Sequence, residues 1–195
     1  INQAIVYFKN EEGRYKEAGN IKNAVPFLHQ DPDSDEILGQ CEESGRDQGH
    51  ATLCVSLMGA FCQMAYSIGE DLFAFDNYRA VAMAEYVGKY NLIKDEAFNK
   101  GTLVGDDFVY DSNSFPYTSY SNPSYTNTTI STDQRGTKRP AWELFYGYCK
   151  AKGISSIYSG KWAEQMRPDG GGGNYGPNSG GFDQLGFGTL MYYRE

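Results

Sequence analysis

The run over residues 50–68 limits the possible folds more than any other stretch of the chain. Leu53, Cys54, Leu57, Met58, Phe61, Met64, Ala65 and Ile68 recur at the i, i+3, i+4 spacing of a helix with one apolar face. Gly69 follows as a stop. A helix of about five turns with so broad an apolar stripe must bury it against other elements. A second helix is expected over 77–90, capped by Asp76 or Asn77, with Val81, Ala84, Val87 and Gly88 on one face. A third starts at Pro140, which suits the first helical position, and stops at Gly153. A short one is read over 159–166. The opening reads as helical in two pieces, over 5–10 and 14–28, with a break before Pro26. The expected fold class is therefore mostly α, with helices packed pairwise in a single domain over residues 1–195.

Two long connections separate these helices. Residues 29–50 form an acidic loop. Residues 101–138 are rich in Ser, Thr, Asn and Tyr and show no long period, apart from a short strand expected at 108–110. A loop of that length is uncommon unless it serves a function. Asn127-Thr128-Thr129 is a glycosylation sequon, meaningful in a secreted eukaryotic protein. The Gly-rich run at 170–173 fits neither the P-loop nor the dinucleotide fingerprint and reads as a linker.

Composition removes several classes of partner. With 17 basic and 25 acidic residues the net charge is −8, so nucleic acid is not expected as a partner. No run approaches the ~20 apolar residues of a membrane span, so no membrane partner is expected. The chain opens at Ile1 with no charged start or cleavage pattern, which reads as a processed or truncated end. Its 16 Tyr and 23 Gly suit loop-rich surfaces and polar-aromatic clefts. None of the four cysteines forms a CxxC pair, against a zinc ribbon or a thioredoxin-type site. Cys54 and Cys62 are eight residues apart in one expected helix, ~12 Å along its axis, too far to bridge. A bridge from Cys41 to a distant partner and four buried thiols both stay open.

Three groups of residues carry chemistry. The first is Glu43-Ser-Gly-Arg-Asp-Gln-Gly-His50, a polar, Gly-punctuated segment just before the strongest helix. His50 falls at the helix N-terminus, where the dipole favours the neutral, base-competent ring. Arg46 and Gln48 stand ready to grip a carboxylate. The alternative is a plain helix entry capped by Ser44 or Asp47. The second is Lys138 to Tyr148. Arg139 and Tyr146 are two turns apart on one expected helical face, with Glu143 between them. An Arg beside a Tyr favours phenolate, which makes Tyr a usable base. The competing interpretation is a helix that packs Trp142, Phe145 and Cys149 inward and wears an Arg139–Glu143 pair outside. Arg79 and Tyr86 repeat this spacing, and helix packing with a wet edge is expected there. The third is an acidic series, Asp31, Asp33, Asp35 and Glu42, at EF-hand positions 1, 3, 5 and 12. Glu36 occupies the position that needs Gly, so a solvated loop is expected and no metal. His29 is expected to be structural.

Several segments together resemble the alginate-lyase-domain family of polysaccharide lyases, in its C-terminal half. They are ESGRDQGH at 43–50, DLFAFDNYR at 71–79, EYVGKYNL at 85–92, RPAWELFYGY at 139–148 and FDQLGFGTL at 182–190. The resemblance implies an (α/α) toroid, or incomplete barrel, of helical hairpins. It implies a secreted or periplasmic enzyme without cofactor that cuts an acidic polysaccharide, alginate or polyglucuronate, by β-elimination. It also implies that a missing N-terminal half or a second chain completes the site with an Asn. In such enzymes a Tyr removes the C5 proton, protonates O4, or both, while His and Arg neutralise the carboxylate. Carried over, His50, Arg139 and Tyr146 become the catalytic group, with Tyr148 as rival to Tyr146. Arg46, Gln48, Arg79, Tyr90 and Tyr148 become substrate-binding residues. Two alternatives remain open: a non-catalytic acidic-glycan-binding relative, and a glycoside hydrolase using carboxylates such as Asp47 and Glu143.

Overall fold

The computed structural model describes residues 1–10, 20–121, 125–167 and 192. Among them are six helices: α1 (Asn2–Asn10), α2 (Ile21–Ala24), α3 (Gln48–Tyr66), α4 (Phe75–Asn91), α5 (Trp142–Lys152) and α6 (Ile157–Met166). Two antiparallel two-stranded sheets accompany them, β1 (Phe27–Gln30) with β2 (Ile37–Gln40), and β3 (Tyr120–Ser121) with β4 (Thr126–Asn127). The architecture mixes α and β, which corrects the expected all-α toroid of helical hairpins. The helix expected over 14–28 survives only as α2; its last residues form β1, and residues 11–19 lie outside the described set. Pro26 bars a continuing helix. The segment DPDSDE then acts as a turn between two short apolar runs, pairing Phe27 with Gln40 and Gln30 with Ile37.

The hairpin lies directly on α4. A Cβ at Gly39 would come within 2.8 Å of the Met83 backbone nitrogen and 2.7 Å of Val25, so only glycine lets β2 approach so closely. Helix α4 is the centre of the molecule, buried from Ala80 to Asn91. Its entry differs from expectation. Asp76, Asn77 and Tyr78 hold positive φ of 51°, 56° and 60°, a left-handed turn rather than a simple cap. Asp and Asn tolerate that region and Tyr does so at a cost of order 1–3 kcal/mol. Arg79 offsets it by binding Asp76 and by donating from Nη1 to the Val25 carbonyl at 2.7 Å. Trp142 of α5 and Trp162 of α6 stack at 5.2 Å, and Trp162 Nε1 donates to Gly88 of α4 at 2.9 Å. Gly153 ends α5 with φ 68°, as expected.

Helix α3 keeps the expected period, but its buried face is rotated from the expected one, although Cys54, Met58, Phe61 and Ala65 still pack on the core. Its buried positions are small or polar: Gly49, Ala51, Thr52, Val55, Ser56, Gly59, Cys62 and Ala65. Leu57, Met64 and Ile68 are exposed. The small face lets α3 close on α5, where Phe145 and Leu144 lie over Gly59. Close approach of backbones outweighs burial of the larger side chains on this helix.

Two buried carboxylates fasten the layers. Asp31, expected in a solvated loop, is buried, and its oxygens receive Lys89, the Ser34 hydroxyl at 2.6 Å and the Tyr158 hydroxyl at 2.6 Å. Lys89 also donates to Asp33 at 2.6 Å and sits over the rings of Tyr110 and Tyr158. Burial raises the Asp31 carboxyl, but these hydrogen bonds together outweigh it and hold the pKa down to about 2. Glu85 of α4 accepts the backbone N–H groups of Tyr158 at 2.8 Å and Ser159 at 2.9 Å, capping α6 from outside. Burial dominates there and pushes its pKa up to about 7.

Candidate active site at the start of α3

Residues 41–50 turn the chain from β2 into α3. Glu42–Gly45 makes one tight 3-10 turn, and Asp47 then caps the helix. Asp47 Oδ1 accepts the His50 backbone N–H at 2.8 Å. Its other oxygen, Oδ2, lies 2.6 Å from His50 Nδ1. One carboxylate therefore both starts the helix and aims the ring. With Nδ1–H donated to Asp47, the neutral imidazole carries its lone pair on Nε2. The His50 side chain is 41% exposed and that of Asp47 only 12%. The ring reaches solvent while the group holding it is sheltered. Arg46, also half-exposed, contacts Glu43 at 3.3 Å and stands 3.7 Å from Asp47.

A buried amide network fixes this turn. Gln48 Nε2 donates to the carbonyls of Ser44 and Ser131, both at 3.0 Å, and its Oε1 accepts from Asn91 at 2.9 Å. Asn91 Oδ1 accepts the Gly136 N–H at 2.9 Å, and the Gln48 N–H reaches the Asp133 carbonyl at 2.8 Å. The segment 131–136 is thereby bolted across α3 and α4. Gln134 lies over Gly49, where a Cβ would meet its Oε1 at 2.2 Å. Arg135 donates to the carbonyls of Tyr90 at 2.8 Å and Tyr110 at 2.7 Å, with its guanidinium between the rings of Tyr90 and Phe108.

The structure brings together only part of the expected site. His50, Arg46 and Gln48 share the α3 entry, though Gln48 is buried and works as a brace. Arg139 joins them from beneath: it is buried and donates to Thr52 Oγ1 at 3.2 Å and the Gly49 carbonyl at 3.3 Å. Tyr146 is elsewhere, against Gly160 of α6 and near the Arg167 guanidinium. The shared face for Arg139 and Tyr146 does not form, because α5 begins at Trp142 and Arg139 precedes it. Glu143 pairs with Arg167 at 2.9 Å. Tyr148 is buried on Phe73, and burial together with the Asp71 carboxylate, which its hydroxyl meets at 3.0 Å, moves its pKa far above the usual phenol value. Tyr90 is buried under Arg135, and burial raises its pKa as well. Arg79 serves the α4 entry.

Other sequence features resolve in the same way. His29 is structural as expected, with Nε2 3.0 Å from Gln40 and its ring against Tyr86. Among the described residues no group of three or more His, Cys, Asp or Glu is placed to hold a metal ion. The amide nitrogen of Asn127 is buried beside Gly45, so the sequon does not present it. The four cysteines are free thiols. The Gly-rich run and the FDQLGFGTL segment lie outside the described residues. No described helix is long and apolar enough to cross a membrane.

Sequence reasoning took Asp47 as a cap and missed that it aims His50. The signal was present, since Asp three residues before His at a helix start brings both of its oxygens within reach of that residue. It missed Asn91, Gln134 and Arg135 altogether, because they act across long separations in sequence. Compared with protein-family models, with curated proteins and with solved structures, the chain matches none.

Proposed function

We propose that the protein is a lyase acting on a uronic-acid polysaccharide, with His50 in place of Tyr146 as its base. The observation that carries this reading is the half-exposed His50 ring held at Nδ1 by the sheltered Asp47 carboxylate, with the Arg46 cation beside it. The C5 proton of a uronate is weakly acidic, and its removal needs the adjacent carboxylate neutralised so that an enolate-like charge can develop. Arg46 binds that carboxylate. Nε2 of His50 takes the C5 proton, and Asp47 steadies the imidazolium that forms. The C5–H electron pair becomes the C4=C5 double bond, the C4–O4 bond breaks, and O4 leaves with its electron pair. His50 returns the proton to O4, so one residue serves as base and then acid. Arg139, below the Gly49 carbonyl, adds positive charge under the same turn.

A carboxylate pair for glycoside hydrolysis is less well supported: Asp47 is committed to His50, and Glu143 is buried against Arg167. The exposed Leu57 and Met64 on α3, and Ile68 just past its end, suit the expectation that a further polypeptide segment or chain covers this helix.

The test is the ultraviolet absorbance of unsaturated uronate ends, run on alginate, polyglucuronate and a neutral glucan. Absorbance rising on one acidic polymer only is the expected result. A flat trace with saturable binding to an acidic polymer replaces the lyase with a glycan-binding protein. A flat trace without binding overturns both.

A further inference from the structure

A concave surface lies next to the segment that braces the His50 turn. It is a cleft of about 520 Å³ between residues 101–108 and 132–137. Its wall includes Gln134 and Arg135, and that wall is the segment bolted to α3 and α4 by the amide network. Gln134 belongs to both places: its side chain lies over Gly49, one residue before His50, and it lines the cleft. The lining is about half polar and half apolar, with the hydroxyls of Thr102, Ser112, Thr132 and Thr137, the aliphatic side chains of Leu103 and Val104, and one aromatic ring, Phe108.

Arg135 is the lining residue that selects a ligand class. A guanidinium has five N–H donors. Two of Arg135's serve backbone carbonyls, and the rings of Tyr90 and Phe108 clamp its plane at 4.0 and 4.2 Å. The remaining donors belong to a cation already fixed in place, so binding an anion there requires little further loss of side-chain freedom. A fixed cation that meets hydroxyls and an amide in the lining, with the Asp111 carboxylate also acting on it, matches a sugar ring bearing one carboxylate. Phosphate-rich ligands need more cations than this lining holds.

We infer that this cleft is a uronate-binding subsite, which holds a sugar unit of the acidic polymer next to the one processed at His50. The inference rests on the lyase reading and adds where the chain of sugars continues. Arg135 binds the carboxylate of the neighbouring unit, and Gln134 bridges the two positions.

The test fills the cleft and leaves the His50 turn intact. Gly105 lines the cleft, has no positive φ, and has nothing within 4 Å of where its Cβ would stand. Gly105→Trp therefore fits the backbone and occupies the space, and Gly105→Ala is the control. Dissociation constants are measured by calorimetry for a long uronate oligomer and for a single uronate, together with lyase rates on both the oligomer and the polymer. Expected is about tenfold weaker oligomer binding for Gly105→Trp, with single-uronate binding and the thermal midpoint unchanged and Gly105→Ala like wild type. Equal oligomer affinity in Gly105→Trp and wild type, with wild-type lyase activity intact, overturns the subsite alone. Wild-type protein that neither binds nor cuts any uronate overturns the lyase reading and the subsite with it. A second variant, Arg135→Lys, keeps the charge and loses the planar fork; several-fold weaker oligomer binding at an unchanged melting temperature supports the assignment of Arg135, and unchanged binding removes it.

Discussion

Two aspartates, each with a cationic or basic partner, sit at opposite extremes of solvent access. Asp31 and Lys89 are sealed between the hairpin and α4, with the Lys89 side chain 1% exposed and that of Asp31 0%. Asp47 and His50 stand at the start of α3, where the histidine is 41% exposed. The first pair has every described polar atom engaged by neighbours across the fold, so it orders the structure and has nothing left to offer a ligand. The second leaves Nε2 uncommitted. Similar chemistry thus becomes scaffold or candidate machinery according to how much of it water can reach.

The largest effect expected from breaking this contrast is on the sealed side. Lys89→Met leaves Asp31 buried without its cation, and denaturant unfolding should show a loss of about 3–5 kcal/mol. A loss near zero would mean that the pair is open to water and that the contrast is false. On the open side, His50→Gln should lower the elimination rate by about 10²–10⁴-fold, the range for a lost general base, with the melting temperature little changed. Retained activity would move the base elsewhere.

The acid limb of stability sharpens the comparison. The Asp31 pKa is held below its unfolded value of 3.8, at about 2. Its contribution is therefore present above pH 4 and lost as the pH falls toward 2. Linkage puts it at roughly 2 kcal/mol, read from thermal midpoints across that window and absent in Asp31→Asn. Glu85 has the opposite sign. Its pKa is raised from 4.5 to about 7, so stability declines as the pH rises between those values. Glu85→Gln should flatten that slope. The smallest expected effect belongs to Asp47→Asn. Asn caps a helix as well as Asp does, so stability should shift by less than about 0.5 kcal/mol, while turnover falls about tenfold because the ring loses its anionic partner. A stability loss as large as that of Lys89→Met would make Asp47 scaffold too.

Much of the local structure was legible. The bodies of α3, α4 and α5, the stop at Gly153, and the helix-start position of His50 all follow from spacing, capping and turn chemistry, which act over a few residues. The β1–β2 hairpin was legible in principle, since DPDSDE is a turn flanked by short runs with apolar residues, but the acidic series reads as a solvated loop when the pairing of its flanks is unknown. The exact facing of α3 was only partly legible. Of the stripe that periodicity marks, Cys54, Met58, Phe61 and Ala65 pack on the core while Leu57 and Met64 stay exposed, because the fully buried face is the small one that lets α5 approach at Gly59.

The sequence alone determined that helices run through the bodies of α3, α4 and α5 and that α5 stops at Gly153, because backbone hydrogen bonding and steric limits on Gly and capping residues are local. It also determined that Asp47 and His50 meet, since three residues at a helix start leave them little choice. Only the tertiary structure decided that Lys89 finds Asp31 across 58 residues, that Arg139 lies under α3 and not beside Tyr146, and that Arg135 is clamped between Tyr90 and Phe108. Those pairings depend on which layers pack together, and packing is settled by the summed burial and close approach of segments distant in sequence, which no local pattern encodes.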